Sequence, residues 1–370
     1  MIPLSSPTSV LLAGGGSAGH VSPLLALADA LRRRHPDVRV TALGTREGLE
    51  ARLVPERGYD LRFVPKVPLP RRPSPDLLRL PARLKAAIDA ADAAIEETGA
   101  EVVVGFGGYV STPAYLAARR RHVPIVVHEQ NTTAGLANRL GARWAHAVAT
   151  TFASTSLPRA QRIGMPLRRE VATLDRAALR GEALEHFGLD RRWPTVLVTG
   201  GSLGARRLNE AFRARVAELS SRGVQVLHVT GLGKEFDVPP PGSGAPYAVV
   251  PYADRMELAY AAADLVVARA GANTVCELTA VGLPAVYVPL PVGNGEQRLN
   301  AAEVVAAGGG LLVDDAAFTP EWIDAELVPL ATDPDRLARM AAAARALGEP
   351  AADETLADLV DRAAADRNRT

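Results

Sequence analysis

The sequence contains a single cysteine, Cys276, and aromatic residues make up only 5% of its 370 residues. One cysteine cannot form a disulfide within the chain, and this scarcity is typical of proteins in a reducing compartment. The sequence also lacks an apolar run long enough to span a bilayer, and its first residues, MIPLSSPTSVLLAGGG, lack the basic start and the cleavage site of a secretory signal. These absences predict a cytoplasmic protein that does not cross a membrane.

An excess of charge of one sign is absent as well. Lys and Arg number 42 and Asp and Glu number 41, so the net charge of +1 argues against a general nucleic-acid-binding protein. No cluster of His and Cys has the spacing of metal ligands, and no D-x-D pair of acids ends a candidate strand. The sequence therefore predicts no metal, no cofactor and no nucleic-acid partner.

The residues that are present have the composition of a globular protein, with 48% hydrophobic and 22% charged residues. A chain of 370 residues exceeds one typical core, which predicts two domains. Short β-branched runs alternate with longer segments of helical period, and their uninterrupted apolar character indicates parallel sheets covered on both faces. The candidate strands are SVLLA, VRVTAL, EVVVGF, PIVVHE, HAVATT, PTVLVTG, VQVLHVTG, YAVVPY, DLVVAR and PAVYVPL.

The second half of the chain restarts the pattern of the first. SVLLAGGGSAGHVSPLLALADAL and TVLVTGGSLGARRLNEAFRARV both read as a strand, a glycine-rich turn and a helix. The pattern predicts an α/β protein of two Rossmann-like, doubly wound domains, with a boundary within residues 154–170 and a ligand site in a cleft between the domains. The last stretch, from about residue 346 to residue 370, has the pattern of an amphipathic helix that could pack on either domain.

The first glycine-rich loop also fits the dinucleotide-binding fingerprint G-x-G-x-x-G, through Gly14, Gly16 and Gly19. That fingerprint needs an acid at the end of the next strand, but this strand ends in LGT, and Asp37 and Glu47 fall before and beyond it. An NAD-dependent oxidoreductase is therefore the weaker alternative, and glycines that serve only a tight turn are another. Two such loops at matching places favour anion sites, because helix N-termini attract phosphate.

Further glycine-rich and polar stretches follow the candidate strands, in the order GFGGYVSTPA, HEQNTTAGLANR, GGSLGARRLN, ARAGANTVCELTAVGLPAVYVPLP and NGEQRLNA. Together with AGGGSAGHVSP, these stretches resemble the MurG family of bacterial N-acetylglucosaminyltransferases from about residue 10 to residue 345. The resemblance implies a GT-B fold, in which residues 1–163 bind the acceptor and associate with the membrane and residues 164–345 bind UDP-GlcNAc. It also implies that the last helix, about 346–370, returns to the first domain.

The resemblance implies an inverting, metal-independent transfer of GlcNAc from UDP-GlcNAc. The acceptor is the C4 hydroxyl of MurNAc in undecaprenyl-diphospho-MurNAc-pentapeptide (lipid I), and the product is lipid II for peptidoglycan synthesis. Another GT-B enzyme, such as a UDP-GlcNAc 2-epimerase or a natural-product glycosyltransferase, is the first alternative. A noncatalytic binding module is a third possibility, against which His20 and Glu277 together argue.

The resemblance also carries the family's donor contacts onto this sequence. Glu277 corresponds to the ribose ligand, the first turn after Gly271 to the diphosphate site, Ala253 to the uracil contact, and Glu296 with Gln297 to the sugar-reading pair. Glu296 stands where the family has a Gln. The full donor set is Ser17, Ala18, Gly19, Asn131, Arg168, Ser202, Ala253, Ala272, Asn273, Thr274, Val275, Glu277, Glu296 and Gln297.

His20 is the candidate general base of the reaction. A sugar hydroxyl needs a base to take its proton, and an imidazole with an ordinary pKa of about 6.5 suits that task at neutral pH. Its place at a helix N-terminus favours the neutral ring. The alternative is that His20 only packs the turn or binds a phosphate. The acceptor diphosphate is expected at Gly15, Gly16, Gly107, Gly108 and Tyr109, whereas His128 and Glu129 are expected to brace their loop.

Residues 66–87, KVPLPRRPSPDLLRLPARLKAA, combine basic residues with apolar ones. The basic side chains are Lys66, Arg71, Arg72, Arg79, Arg83 and Lys85, and Leu77, Pro81, Leu84 and Ile88 share one helical face. This pattern predicts docking on an anionic membrane surface and a peripheral location on the cytoplasmic face of the cell membrane. The alternative is a basic surface loop followed by a helix packed on the core.

Overall fold

The structure, a computed structural model, describes residues 7–67, 76–201, 205–239, 242–291 and 295–367, with the backbone alone for 76–79. The chain forms two compact units. The first comprises Met1–Arg168 together with Pro350–Thr370, and the second comprises Arg169–Glu349. The first unit is therefore built from both ends of the chain.

A parallel sheet forms the centre of the first unit. Its strands are β1 (Ser9–Ala13), β2 (Arg39–Gly44), β3 (Asp60–Phe63), β4 (Val102–Gly105), β5 (Ile125–Glu129), β6 (Ala147–Thr150) and β7 (Ala160–Arg162). In the described residues the order across this seven-stranded sheet is β3-β2-β1-β4-β5-β6-β7. Val10 of the central strand pairs with Val40 on one side and Val102 on the other. The order reverses between β1 and β4, where a doubly wound sheet places its ligands.

Helices cover both faces of this sheet. They are α1 (Ala18–Arg34), α2 (Glu50–Glu56), α3 (Asp76–Thr98), α4 (Gly108–Arg120), α5 (Leu136–Gly141) and, from the end of the chain, α16 (Ala352–Arg367). Val10 and Leu12 point to the core on one face and Leu11 and Ala13 to the core on the other, as the alternation of side chains along a strand requires. The first core includes residues of α1 and α16, and the second includes residues of α3 and α4.

The amphipathic pattern of the last helix did not indicate which domain it packs on. In the structure, α16 packs beside α1 in the first unit. Apolar residues of α16 such as Leu356 and Val360 are fully buried in the first unit. A cluster of charges holds its edge: Arg33 lies 2.6 Å from Asp353, and Arg34 lies 2.6 Å from Glu354. Burial opposes ionisation of Glu354, but hydrogen bonds from the two arginines outweigh it and hold the pKa of Glu354 below its usual range.

The second unit repeats the architecture. Its strands are β8 (Thr195–Thr199), β9 (Gln225–Val229), β10 (Tyr247–Val250), β11 (Leu265–Ala268), β12 (Ala285–Tyr287) and β13 (Gly310–Leu312). In the described residues this six-stranded parallel sheet has the order β10-β9-β8-β11-β12-β13. The order again reverses beside the first strand of the unit, between β8 and β11.

The helices of the second unit are α6 (Arg169–Ala172), α7 (Arg176–His186), α8 (Arg206–Arg213), α9 (Val216–Ser221), α10 (Met256–Ala262), α11 (Ala272–Val281), α12 (Glu296–Ala306), α13 (Pro320–Trp322), α14 (Val328–Ala331) and α15 (Pro334–Arg345). A 3-10 turn covers Asp315–Ala317, and a π-helical turn covers Ile323–Leu327. Val196 and Val198 of β8 pack with Leu208 and Phe212 of α8 in the main core.

The predicted α/β class with parallel sheets is confirmed, and each candidate strand is a strand. The sequence missed β3, β7 and β13. All three lie at sheet edges and lack a buried apolar run, so their sequences do not show the pattern of a central strand. Across the part of the chain that is described, no helix combines the length and the apolar character needed to cross a membrane.

Candidate functional site

The first glycine-rich loop connects β1 to α1. Gly16 has a φ of 89°, a left-handed conformation that favours glycine, and Ser17 is the N-cap of α1. Ala18 and Gly19 open the helix, and His20 lies in its first turn. The Nδ1 atom of His20 is 3.2 Å from the carbonyl oxygen of Gly15 and 3.1 Å from Ser17 Oγ.

A second glycine turn lies against His20. Gly107 and Gly108, at the start of α4, have φ values of 90° and 77°. A Cβ on Gly107 would lie 3.3 Å from His20 Nε2, and one on Gly108 would lie 2.8 Å from the Gly15 carbonyl oxygen. These glycines therefore allow the two turns to approach each other. Tyr109 follows them and is 48% exposed.

The two turns border a cavity of about 280 Å³. Its described lining consists of Gly15, Gly16, Ser17, His20, Thr45, Glu47, Gly48, Lys66, Gly108, Tyr109 and Val110. The N-terminal ends of α1 and α4 both contribute to this lining, and Lys66 adds an ammonium group. Positive helix ends and a cation suit an anionic ligand. Lys66, which the sequence grouped with the basic membrane segment, is thus part of this cavity.

Two backbone N–H groups near the cavity are already used within the protein. Gly16 N–H donates to Glu50 Oε2 at 2.8 Å, and Gly107 N–H donates to Ser111 Oγ at 2.9 Å. A diphosphate in this cavity would therefore need other donors than these two N–H groups. The assignment of Gly16 and Gly107 to the acceptor diphosphate site stays a prediction.

Glu50 is a buried acid that the sequence analysis missed. Its side chain is 0% exposed, and its carboxylate accepts hydrogen bonds from Gly16 N–H and from the N–H and hydroxyl of Thr45. A Cβ on Gly15, Gly44 or Gly48 would overlap it, so glycines wall the carboxylate. The glycines at 44 and 48, just before this acid, were the available signal. Because it is buried, Glu50 cannot serve as the ribose-binding acid of a dinucleotide site.

Glu129 plays a similar part in the loop after β5. It is 2% exposed and accepts hydrogen bonds from Asn131 N–H at 3.0 Å, from Gly135 N–H at 3.0 Å and from Asn138 Nδ2 at 2.9 Å. The Asn131 carbonyl in turn accepts from Thr155 Oγ1 at 3.0 Å. The backbone of Asn131 is therefore held on both sides, and Glu129 braces the loop.

His128 is fully buried beside that loop. The Gly164 carbonyl lies 2.9 Å from its Nε2, which must therefore carry the proton, and Gln130 Nε2 donates to its Nδ1 at 3.0 Å. Desolvation lowers the pKa of His128 to about 4, so the ring is neutral at physiological pH and is structural. Arg168, which follows Gly164 by a few residues, is half-buried and is the last residue of the first unit.

In the second unit, a short turn connects β11 to α11. Gly271 is its N-cap, and Ala272, Asn273 and Thr274 form its first turn. The N–H of Val275 donates to the Gly271 carbonyl at 3.0 Å. That N–H group is therefore already used within the helix, and the place of Val275 in the diphosphate site stays a prediction.

Glu277 lies in the second turn of α11 and is half-buried. It is not a first-turn acid, so its carboxylate is not placed to interact with the positive end of the helix dipole. The hydroxyl of Tyr260, which is 2% exposed, donates to Glu277 Oε2 at 2.6 Å. Tyr260 was not predicted, since it comes from α10, and it fixes the direction of the carboxylate.

Arg269, between β11 and α11, is a second residue that the sequence analysis missed. Its side chain is 12% exposed, and Nη1 donates to Asp315 Oδ1 at 2.6 Å and to the Val288 carbonyl at 3.0 Å. The arginine thus joins the turn before α11 to the segments that follow β12 and β13. An arginine directly after an apolar strand, as in DLVVAR, was its signal in the sequence.

The remaining donor candidates lie elsewhere in the second unit. Glu296 and Gln297 open α12 after Gly295, which has a φ of 75°, and Gln297 Oε1 accepts from Leu290 N–H at 2.9 Å. Ala253 is 8% exposed between β10 and α10. Ser202 lies outside the described residues. In the described ranges no group of three or more His, Cys, Asp or Glu side chains is placed to hold a metal ion.

Comparison with known proteins identifies the family of this chain. Residues 10–150 match the glycosyltransferase family 28 N-terminal domain, and residues 195–360 match the glycosyltransferase family 28 C-terminal domain. A UDP-N-acetylglucosamine--N-acetylmuramyl-(pentapeptide) pyrophosphoryl-undecaprenol N-acetylglucosamine transferase of Streptomyces avermitilis is 57% identical over 361 residues, which cover 97% of this chain and 99% of the relative. A Nocardioides protein of the same name is 59% identical over 354 residues, which cover 95% of this chain and 97% of the relative.

Solved structures give the same result. The crystal structure of Acinetobacter baumannii MurG superposes with a TM-score of 0.78 at 28% identity and covers 96% of this chain and 100% of that chain. A UDP-GlcNAc 2-epimerase from Neisseria meningitidis superposes with a TM-score of 0.66 and covers 95% of this chain and 99% of that chain. At 12% identity, this likeness shows a shared fold alone. The predicted GT-B class is thereby confirmed. The chain belongs to glycosyltransferase family 28 and, within it, to the MurG family of UDP-N-acetylglucosamine--N-acetylmuramyl-(pentapeptide) pyrophosphoryl-undecaprenol N-acetylglucosamine transferases.

Proposed function

We propose that this protein transfers GlcNAc from UDP-GlcNAc to the C4 hydroxyl of MurNAc in lipid I, with inversion at the anomeric carbon, and so forms lipid II for peptidoglycan. The observation that carries the proposal is the high identity, over nearly the whole chain, to relatives named for this transfer. The epimerase alternative shares only the fold, and the absence of an acid at the end of β2 argues against the dinucleotide alternative.

The first unit is proposed to bind the acceptor. Its cavity brings together the N-terminal ends of α1 and α4, Lys66 and the imidazole of His20. The diphosphate of lipid I is an anion that such a site attracts. With the diphosphate held there, the neighbouring MurNAc ring would present its C4 hydroxyl near His20.

His20 is proposed to be the general base. Its Nδ1 faces the Gly15 carbonyl, which can only accept, so Nδ1 carries the hydrogen and Nε2 has the lone pair. Nε2 takes the proton of the C4 hydroxyl while the oxygen bonds to the anomeric carbon of GlcNAc. The bond from that carbon to the UDP oxygen breaks on the opposite face, and the electron pair leaves with UDP. Attack opposite the leaving group inverts the configuration.

The second unit is proposed to bind UDP-GlcNAc. The first-turn N–H groups of α11 and the guanidinium of Arg168 suit the diphosphate and the charge that develops on the departing UDP. Glu277, oriented by Tyr260, suits the two ribose hydroxyls. Since Gln297 uses Oε1 on Leu290, its Nε2 is the end that would donate to a sugar hydroxyl.

The remaining donor contacts are proposed by position. Asn131 and the start of α1 at Ser17, Ala18 and Gly19 belong to the first unit, and Ser202, Ala253 and Glu296 belong to the second. The backbone of Asn131 is fixed by Glu129 and Thr155, which suits a residue that must hold a sugar in one orientation.

A peripheral location on the cytoplasmic face of the cell membrane is part of the proposal, through the segment 66–87. Arg71 and Arg72 lie outside the described residues, and Arg79 is described by its backbone alone. Ile88, which shares the predicted apolar face, is partly buried and packs on the core of the first unit. Replacing Arg71, Arg72, Arg79 and Arg83 with Gln should weaken binding to anionic vesicles without slowing the reaction with a water-soluble acceptor. Unchanged vesicle binding would mean that another part of the protein contacts the membrane.

The direct test is transfer of labelled GlcNAc from UDP-GlcNAc to a lipid I analogue. The expected product is a β-1,4-linked disaccharide, which NMR identifies by its anomeric coupling. A second arm incubates the enzyme with UDP-GlcNAc alone. Conversion to the 2-epimer without an acceptor, and no transfer in the first arm, would replace the proposal with an epimerase.

A further inference from the structure

One peptide group of the first glycine-rich loop is hydrogen-bonded at both ends. Gly15 and Gly16 share it: the N–H of Gly16 donates to Glu50 Oε2 at 2.8 Å, and the carbonyl of Gly15 lies 3.2 Å from His20 Nδ1. The N–H and C=O of a trans peptide point in opposite directions. The buried carboxylate and the imidazole therefore stand on opposite sides of the same amide.

This arrangement polarises the amide in one direction. A negative charge at the N–H end draws the amide dipole into line and makes the carbonyl oxygen a stronger acceptor. The stronger acceptor favours a hydrogen on His20 Nδ1, so that Nε2 keeps its lone pair. We propose that Glu50 is a positioning residue that, through the Gly15–Gly16 peptide, sets the tautomer of His20 and strengthens it as a base.

The surroundings of Glu50 suit a fixed carboxylate. Glu50 accepts hydrogen bonds from the N–H groups of Gly16 and Thr45 and from the Thr45 hydroxyl, a set of contacts that suits a carboxylate. The side chain is 0% exposed, and the glycines at 15, 44 and 48 leave no space for it to turn. Its position is therefore defined by packing as well as by hydrogen bonds.

The charges around His20 oppose one another. The N-terminal ends of α1 and α4, together with Lys66, disfavour a proton on the ring, whereas Glu47 and Glu50 favour it. Glu47 and Lys66 line the open cavity, where solvent screens them, but Glu50 is sealed from water. Glu50 is thus the acid best placed to stabilise the imidazolium as the base takes its proton. The inference rests on the proposed role of His20 as the base.

The first test is nitrogen NMR of the full-length wild-type protein at neutral pH. The inference requires that the neutral His20 ring carry its hydrogen on Nδ1. A ring protonated on Nε2 would overturn it, since Nδ1 would then accept from Ser17 rather than donate to Gly15. This measurement needs no variant and cannot be confused with loss of folding.

The second test is Glu50→Gln, which keeps the shape and removes the charge. We expect the acid limb of the kcat profile to move down by about 0.5–1 pH unit, because the imidazolium loses a stabilising charge. The plateau of kcat should fall about three- to tenfold with donor KM within about twofold, as a weaker base predicts. An unmoved acid limb and a wild-type tautomer would overturn the inference.

Glu129→Gln is the matched control, because it removes the other buried carboxylate that braces a loop of this unit. It should change activity without moving the acid limb, and an equal movement in both variants would mean general loosening and overturn the proposal. If Glu50→Gln does not fold, the tautomer of His20 in the wild-type protein decides the inference.

Failure of the proposed base role of His20 and failure of the inference about Glu50 give different results. If His20→Ala keeps a normal kcat, then the base role fails, and the inference with it. If His20→Ala is inactive while Glu50→Gln leaves the tautomer and the acid limb unchanged, then the proposed function stands and the inference alone is wrong.

Discussion

The two units share one strand order but hold their strand-end loops in different ways. In the first unit, Glu50 and Glu129 are buried carboxylates that accept backbone N–H groups of neighbouring loops. In the second unit, side chains tie separate segments together, as Tyr260 does with Glu277 and Arg269 with Asp315. A fixed backbone suits a residue such as His20 that is proposed to react, whereas joined segments suit side chains such as Glu277 that are proposed to hold a ligand. In the proposed function, the first unit accordingly carries the chemistry and the second unit binds the donor.

The largest effect should come from His20. His20→Ala should lower kcat by about 10²–10⁴ with little change in donor KM, because a general base acts in the transition state and not in donor binding. The acid limb of the wild-type pH profile should disappear with it. Steady-state kinetics with a lipid I analogue measure all three. If Glu277→Ala gives the same pattern, the division of tasks between the units is wrong.

Acid should destabilise both units in the same way, which probes what they share. Desolvation lowers the pKa of His128 to about 4 and that of His228, in the second unit, to about 3. The folded state keeps both rings neutral, whereas in the unfolded chain they take a proton near pH 6.5. The contribution of these rings to the free energy of unfolding is therefore fully present above that pH. It falls as the pH drops below it, by about 1.4 kcal/mol per pH unit for each ring.

Urea unfolding of the full chain at pH 7 and pH 5.5 measures that slope. His128→Gln removes one ring and should reduce the slope for the first unit while leaving the second unit unchanged. An identical acid response in the variant would show that His128 is not the group responsible.

A smaller effect is expected at the donor site. Glu277→Ala should raise donor KM about ten- to a hundredfold, because a charged acceptor is lost, a change of about 1.5–3 kcal/mol. Tyr260→Phe keeps the carboxylate but removes the hydrogen bond that orients it, and should raise donor KM about fivefold, the equivalent of about 1 kcal/mol. Isothermal titration with UDP-GlcNAc checks both. Equal affinity in wild type and Glu277→Ala would remove Glu277 from the site.

The smallest effect concerns stability of the first unit alone. Arg34 contacts Glu354, Asp358 and Asp361 of α16. Arg34→Ala should lower the free energy of unfolding of the first unit by about 1–2 kcal/mol, since it breaks a network of partly exposed ion pairs. Arg213→Ala, on α8 of the second unit, is the control. Differential scanning calorimetry would contradict the prediction if both variants shifted the same transition.

The fold could be predicted because buried parallel strands are apolar throughout, as EVVVGF and DLVVAR are. The edge strands β3, β7 and β13 could not, since they lack the buried apolar run of a central strand, whereas the edge strand β10 was predicted from YAVVPY. The sequence also named His20 and Glu277, but it missed the residues that orient them. Glu50 is 34 positions from Gly16, and Tyr260 comes from a different helix than Glu277. Contacts between distant elements depend on packing, which a local pattern does not contain.

The position of α16 has a consequence for how the molecule is made. Its residues cover part of the first unit's core, yet they are synthesised after the whole of the second unit. During translation the first unit must wait with one apolar face uncovered until residues 352–367 leave the ribosome. A chain that terminates before residue 352 would therefore leave part of the core uncovered in the unit that is synthesised first.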